Sequence, residues 1–400
     1  MSDEMGRREF IRQGTVAGMF ASTGLPFAQV LGQQPVVAAG ASRTDTVSAI
    51  APATRALDSK AFCLSEYDAI ERSLTFTATT RADADAWQRR ARQRLVERIG
   101  GFPTTRAPLN AEVLETTDCG SYVREKIVFD TRHNLSALGY LLVPKGGSRP
   151  LPAVVCFSGH GRGLPDILGP LDAAGPRPER TATYAREYAL QCVEHGYVTF
   201  AVEQLGLGSR RDDAARAAGP AENSCRPAAC AALLFGQSMA GWRVWDAMRA
   251  IDYLGQRSEV DMARIATLGA SGGGTTSLLA GALDERVKVT VVSAYFNTFR
   301  DSIVSISHCP DNYVPGLLQD MEMSDLAGLV APRRLFVESG RHDRIFPIDG
   351  SQAAVDHARS IYAAFGVSDR LGYAVHDGAH EFNGVAAFDS LSRWLQDRPS

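Results

Sequence analysis

The chain has 400 residues, 45% of them hydrophobic and 22% charged, with a formal net charge of -3. That much apolar material builds one large α/β domain with attachments, and the charge balance leaves no general basic surface. Nucleic acid and anionic membranes are poor partners for such a chain, whereas a small neutral or acidic substrate suits it.

The first element in chain order is a leader. Gly6-Arg7-Arg8-Glu9-Phe10-Ile11-Arg12 precedes an apolar, small-residue run over 15–31, and Ala39-Gly40-Ala41 offers a small-x-small cleavage site. The arginine pair before Phe10, Ile11 and Arg12 resembles a twin-arginine signal. Residues 1–41 are therefore expected to deliver folded protein to the twin-arginine export machinery, making the product periplasmic or secreted. Gly18, Gly24 and Pro26 interrupt the run before the roughly 20 apolar residues a span needs, so no stable membrane span is expected. A polar linker over 42–81 and an N-terminal helical extension over 82–120 follow. Within the extension, Trp87, Ala91, Leu95 and Ile99 share one face of a helix over 82–99, which Gly100-Gly101 and Pro103 stop.

From residue 121 to 400 the pattern is that of one catalytic domain. Runs over 122–129 and 137–143, with polar residues 131–134 between them, predict an antiparallel hairpin at a sheet edge. Strands over 153–157, 198–202, 264–268, 287–293, 334–338 and 370–376 are near-continuously apolar, as parallel strands buried on both faces are. Helical segments over 184–194, 240–254, 275–282, 352–364 and 386–396 alternate with them. The alternation predicts a mostly parallel, doubly wound α/β sheet with helices on both faces. Two segments outside it, 208–227 and 305–329, read as long loops near the C-terminal strand ends, where such sheets place their ligand crevice.

Seven cysteines leave at least one unpaired: Cys63, Cys119, Cys156, Cys192, Cys225, Cys230 and Cys309. Cys156 and Cys192 sit in apolar segments and read as buried fillers, and a Cys225–Cys230 bridge stays open. Their spacing is not CxxC and no second pair matches it, so no zinc site is expected.

The chemistry gathers at three turns. Gly269-Ala270-Ser271-Gly272-Gly273 is a G-x-S-x-G match between a strand and a helix, the context of a nucleophile elbow. A serine hydroxyl needs a base to take its proton and an acid to orient that base. Asp343, after the strand over 334–338, and His380, after the strand over 370–376, supply them in the order Ser, Asp, His. His376 is a rival base placed at the strand end, and Asp377 a rival acid too close in sequence to His380. Glu338 reads as a support within its strand, and His133, His195 and His357 as surface or structural residues. The oxyanion needs backbone donors. Gly272 N–H is one, and the loop Ser158-Gly159-His160-Gly161-Arg162-Gly163 offers Arg162 or Gly161 as the second, with the His160 ring bracing the turn.

The words FSGHGRG, VEQLGLGSR, WRVWDAMRAIDYL, LGASGGG, HCPDNYVPGLL, SGRHDRIFP and HDGAHEF together cover all but the leader and linker. Residues 82–400 resemble an α/β-hydrolase of the acetyl xylan esterase and dienelactone hydrolase-like group. The resemblance implies Ser271 as nucleophile, His380 as base then acid, Asp343 as orienting acid, and no cofactor. Glu203 stands where relatives often carry Asp; with His160, His342 and Tyr313 it is a candidate for supporting or lining the pocket. The expected activity is hydrolysis of small acetyl-type esters, on small molecules or carbohydrates. A prolyl-oligopeptidase-like peptidase lacks room before residue 121 for a propeller. In dienelactone-type hydrolysis the usual cysteine nucleophile is replaced by Ser271, and a non-catalytic binding protein would be expected to lose a triad member.

Overall fold

The apolar periodicity of α2 (Arg81–Arg98) is realised against other helices, not in isolation. Ala84, Trp87, Ala91 and Leu95 are its buried face. The Trp87 ring meets Phe76 edge-on at 4.9 Å, its Nε1–H donates to Leu74 O at 2.8 Å, and a Cβ on Gly328 would come within 2.6 Å of it. Thr80 caps the helix by accepting from Asp83 N–H. The computed structural model describes residues 56–171 and 183–396. The expected leader, 1–41, lies outside the described residues, as does the start of the expected linker.

Among the described residues the elements run α1 (Ser59–Ala69), α2, β1 (Glu112–Asp118), β2 (Tyr122–Arg132), β3 (Leu135–Pro144), β4 (Leu151–Phe157), α3 (Leu164–Leu168), α4 (Tyr188–Glu194) and β5 (Val198–Val202). They continue with α5 (Asp213–Ala218), α6 (Cys225–Leu234), α7 (Met239–Leu254), β6 (Val260–Ala270), α8 (Gly272–Leu283), β7 (Val287–Ser293), α9 (Met323–Val330), β8 (Arg334–Gly340), α10 (Ile348–Ala364), β9 (Leu371–His376) and α11 (Val385–Gln396). The strands form one nine-stranded sheet in the order β1-β2-β3-β5-β4-β6-β7-β8-β9. β1, β2 and β3 pair antiparallel, β3 joins β5 antiparallel, and the remainder is parallel.

Four local expectations change. The hairpin β2–β3 is not the edge, because β1 covers β2. β1 reads Glu-Val-Leu-Glu-Thr-Thr-Asp and is largely exposed, so backbone pairing makes it a strand without an apolar signal, and its charges suit an edge. It falls inside the segment expected to be a helical extension. α1 likewise lies inside the expected linker; it buries no side chain and is capped by Asp58, which accepts from Lys60 and Ala61 N–H. The segments expected to be long loops hold α5, the start of α6 and most of α9, whose eight residues are all buried.

Side chains alternate through the sheet. Val154 and Cys156 of β4 pack with α4 and α11, while Ala153, Val155 and Phe157 pack with α7. The chain leaves β4 for β5 on one side and returns to β6 on the other. Connections departing β4 in opposite directions open a crevice at the C-terminal strand ends. The loop after β4 and the turn after β6 meet there.

Candidate active site

Ser271 occupies that turn with φ 56° and ψ -127°. A non-glycine residue held in the left-handed region is strained, and here the backbone fixes it from both sides. Ser271 N–H donates to Ser293 O at 3.0 Å, and Thr275 N–H donates to Ser271 O at 3.2 Å. The flanking glycines are required by space. A Cβ on Gly269 would lie 2.1 Å from Gly273 O, and one on Gly273 would lie 1.9 Å from Phe157 O. Only without those atoms do the backbones of β4, β6 and α8 approach so closely.

His380 lies between β9 and α11, and its Nδ1 is 2.8 Å from Asp343 Oδ2. Asp343 is buried in the turn between β8 and α10. Its Oδ1 accepts from Ile345 N–H at 2.8 Å and Phe346 N–H at 3.0 Å. The His380 ring stacks between Tyr184 and Phe346, at centroid distances of 6.0 and 5.7 Å. With Nδ1–H given to the carboxylate, Nε2 is the nitrogen free to take a proton.

The rival groups sit elsewhere. His376 closes β9, with Nδ1 accepting from Gly378 N–H at 3.1 Å. Asp377 is exposed and faces Arg341 and His342, 3.5 and 3.4 Å away. The exposed His342 side chain is thus paired outside the Asp343–His380 contact, although its N–H holds Gly378 O at 2.9 Å. Glu338 is buried and accepts from Ser293 Oγ at 2.9 Å, Asn383 N–H at 2.8 Å and Gly384 N–H at 2.9 Å. It anchors the chain just beyond His380.

Gly272 is the first residue of α8, where a helix leaves an N–H without an intrahelical acceptor. The loop after β4 abuts it: a Cβ on Gly272 would lie 3.3 Å from His160 Nδ1, and one on Gly159 would lie 3.0 Å from Ser271 Cβ. Arg162 corrects the expectation made for it. Its N–H donates to Asp166 Oδ2 at 2.7 Å and its Nε to Asp166 Oδ1 at 2.8 Å, so a carboxylate already takes the donor. A fold-back of four residues, invisible in a motif, decides this. Gly161 stays in the candidate set.

Two expected pocket residues are structural in their contacts. Glu203 is buried, accepting from Leu164 N–H at 3.1 Å and Ser209 N–H at 3.2 Å, and so ties the loop after β4 to that after β5. Burial pushes its carboxyl up to about 6, against the pull of those donors. Tyr313 is 41% exposed and donates its hydroxyl to Ile303 O at 3.1 Å. The neighbouring Gln204 bridges Ser158 O and the Thr276 hydroxyl, joining the loop after β4 to α8. An open hollow lined by Phe76, Thr77, Ala78 and Ser360 holds none of these groups.

A buried cluster beside the loop gathers His160, Asp311, Arg243, Cys225 and Cys309. His160 Nε2 lies 3.1 Å from Asp311 Oδ2; Arg243 Nη1 donates to the same oxygen, and Arg243 Nη2 to Cys225 Sγ at 3.1 Å. Burial alone would lower the His160 pKa, but the Asp311 carboxylate outweighs it and pushes it up to about 10. A hydrogen bond from Cys309, with Arg243 beside it and against the cost of burial, pulls the Cys225 thiol down to about 5. Sequence reasoning missed Asp311 and Arg243. The one available signal was an arginine inside the apolar pattern of α7, since a buried guanidinium requires a partner. The open Cys225–Cys230 bridge is also corrected: both residues lie on α6, five apart and about 140° around the helix, with Cys225 buried and Cys230 exposed.

Comparison with known proteins supplies the family context. A family model described as "Abhydrolase family" matches residues 46–358. "Putative hydrolase YtaP" of Bacillus subtilis (strain 168) is 28% identical over 315 residues, covering 76% of this chain and 98% of that protein. Among solved structures, a "putative acetyl xylan esterase" from Bacteroides fragilis NCTC 9343 superposes with a TM-score of 0.73 at 17% identity, covering 86% of this chain and 96% of that one. A glucuronoyl esterase from Solibacter usitatus gives a TM-score of 0.59 at 18% identity, with 82% and 98% covered. At such identities the solved structures speak for the fold.

Proposed function

From the Abhydrolase family and α/β-hydrolase fold to which the chain belongs, we propose that it is an exported serine carboxylesterase that cleaves small, acetyl-type esters, with carbohydrate esters as its substrate class. The observation that carries the mechanism is the 2.8 Å contact of His380 with Asp343, set at the same end of the sheet as the left-handed turn of Ser271. In this reading Ser271 Oγ attacks the ester carbonyl while His380 Nε2 takes the hydroxyl proton and Asp343 holds the resulting imidazolium. Gly272 N–H and Gly161 N–H receive the negative oxygen of the tetrahedral intermediate. His380 then gives its proton to the departing alcohol, leaving an acyl group on Ser271. A water, deprotonated by His380, releases the acid and regenerates the hydroxyl.

The substrate class is supported by neighbours named as acetyl xylan and glucuronoyl esterases. Export through the twin-arginine machinery rests on Arg7-Arg8 and the run behind them. The proposed organisation keeps a removable leader, residues 1–41, and a catalytic domain, 121–400, with the intervening chain as linker and N-terminal extension. The test compares p-nitrophenyl acetate with longer acyl esters, using the mature chain and Ser271→Ala, together with labelling by a serine-reactive phosphonate. Fast acetate turnover and labelling that both vanish in Ser271→Ala are expected. Equal slow rates in both proteins, or no labelling of folded protein, would refute the reading.

A further inference from the structure

We propose that His160, Cys225, Cys309 and Asp311 form a zinc site that clamps the loop after β4 onto α6 and the loop before α9. One donor atom from each residue lies within 4.8 Å of the other three, and the four come from three separate segments: the β4 loop, the first residue of α6 and the loop before α9. Tetrahedral bonds of about 2.0–2.3 Å place donors roughly 3.3–3.8 Å apart. Contraction from 4.8 Å to that range is within the reach of side-chain rotation. Two thiolates, an imidazole and a carboxylate are a zinc donor set, and four protein donors make a closed structural site.

A second observation points the same way. His160 Nε2 is shielded from solvent without a well-formed hydrogen bond, with Asp311 Oδ2 3.1 Å away. A shielded imidazole nitrogen within 4.8 Å of two thiol sulfurs and a carboxylate oxygen is placed for a shared ion. Arg243 is held outside this group by Leu205 O at 2.8 and 3.1 Å, and touches both Asp311 and Cys225. Its single positive charge and a divalent ion balance the two thiolates and the carboxylate. Leu207, Ala229 and Met239 surround Cys225 with an apolar shell. The other edge of the His160 ring, Nδ1, rests 3.3 Å from where a Gly272 Cβ would be, so the ion would fix the loop that faces Ser271. The absence of CxxC spacing hid the set, since its members meet only through the fold.

The full chain, purified under reducing conditions, is dialysed against zinc and then buffer, and its zinc is counted by plasma mass spectrometry. One zinc per chain is expected. Cobalt in its place should give a thiolate-to-cobalt charge-transfer band in the near ultraviolet. Cys309→Ser, on a partly exposed loop, should lose the band and weaken zinc binding at least tenfold, while Cys119→Ser should leave both unchanged. Zinc below 0.2 per chain (about background), a cobalt spectrum without the thiolate band, or equal zinc in Cys309→Ser and the parent would each overturn the site. These readouts are of metal rather than turnover, so their failure is distinct from failure of the esterase reading.

Discussion

Asp343→Asn replaces a carboxylate whose two oxygens have different duties. Oδ1 accepts two backbone N–H groups, from Ile345 and Phe346, at 2.8 and 3.0 Å. An amide must therefore keep its oxygen there and turn its NH2 toward His380, whose Nδ1 lies 2.8 Å from the other position. Donor then meets donor unless the imidazole changes tautomer, moving its proton to Nε2. That nitrogen could no longer accept the Ser271 proton. Loss of the correct tautomer with geometry intact lowers kcat by about 10⁴, or about 5 kcal/mol of transition-state stabilisation. The assay is acetyl-ester hydrolysis across pH, beside thermal unfolding to show that the variant remains folded. A loss under about tenfold with an unchanged pH profile would refute the tautomer argument and the role given to Asp343.

Gly273→Ala is expected to destabilise by about 3 kcal/mol or more, because its Cβ would meet Phe157 O at 1.9 Å and backbone cannot step aside; an unchanged melting temperature would count against the close approach. Glu338→Gln turns an amide N–H toward one of three donors and should cost about 1–3 kcal/mol in chemical denaturation while lowering kcat through a displaced His380; Glu338→Asp activity no better than Gln would indicate that the carboxylate is not what positions the loop. Glu203 titrates higher in the fold, near 6, than its ordinary 4.5, so the native state binds the extra proton and this group's contribution to stability falls as pH rises through that window. Glu203→Gln should cancel that fall, so that over the same window the variant gains about 2 kcal/mol relative to the parent by urea unfolding; a constant difference would sink the assignment. Trp87→Ala removes the ring between Phe76 and Gly328 and should cost about 3–5 kcal/mol, read by denaturant midpoint, whereas a cost under about 1 kcal/mol would mean α2 is not packed on the core.

The sequence by itself determined the alternating framework and the turns that hold the proposed site residues. Val198–Val202 and Val287–Ser293 are strands at the positions their apolar runs occupy, because parallel strands buried on both faces leave a continuous hydrophobic record. Ser271, Asp343 and His380 could be singled out because each follows such a run on a turn, and local glycine spacing reports the close backbone contacts at the elbow. β1 left no such record, since backbone pairing rather than side-chain burial makes it a strand. Only the tertiary structure decided which acid reaches His380, that Asp166 claims the Arg162 N–H, and that Glu203 ties loops together. It also separated Cys225 from Cys230 and set it beside Cys309, His160 and Asp311. Periodicity encodes which face of an element is buried, whereas a contact between side chains far apart in sequence depends on how the crossovers bring strand ends together. For that reason the members of the proposed triad were legible one at a time, while the Asp343–His380 contact and the cluster beside them were not.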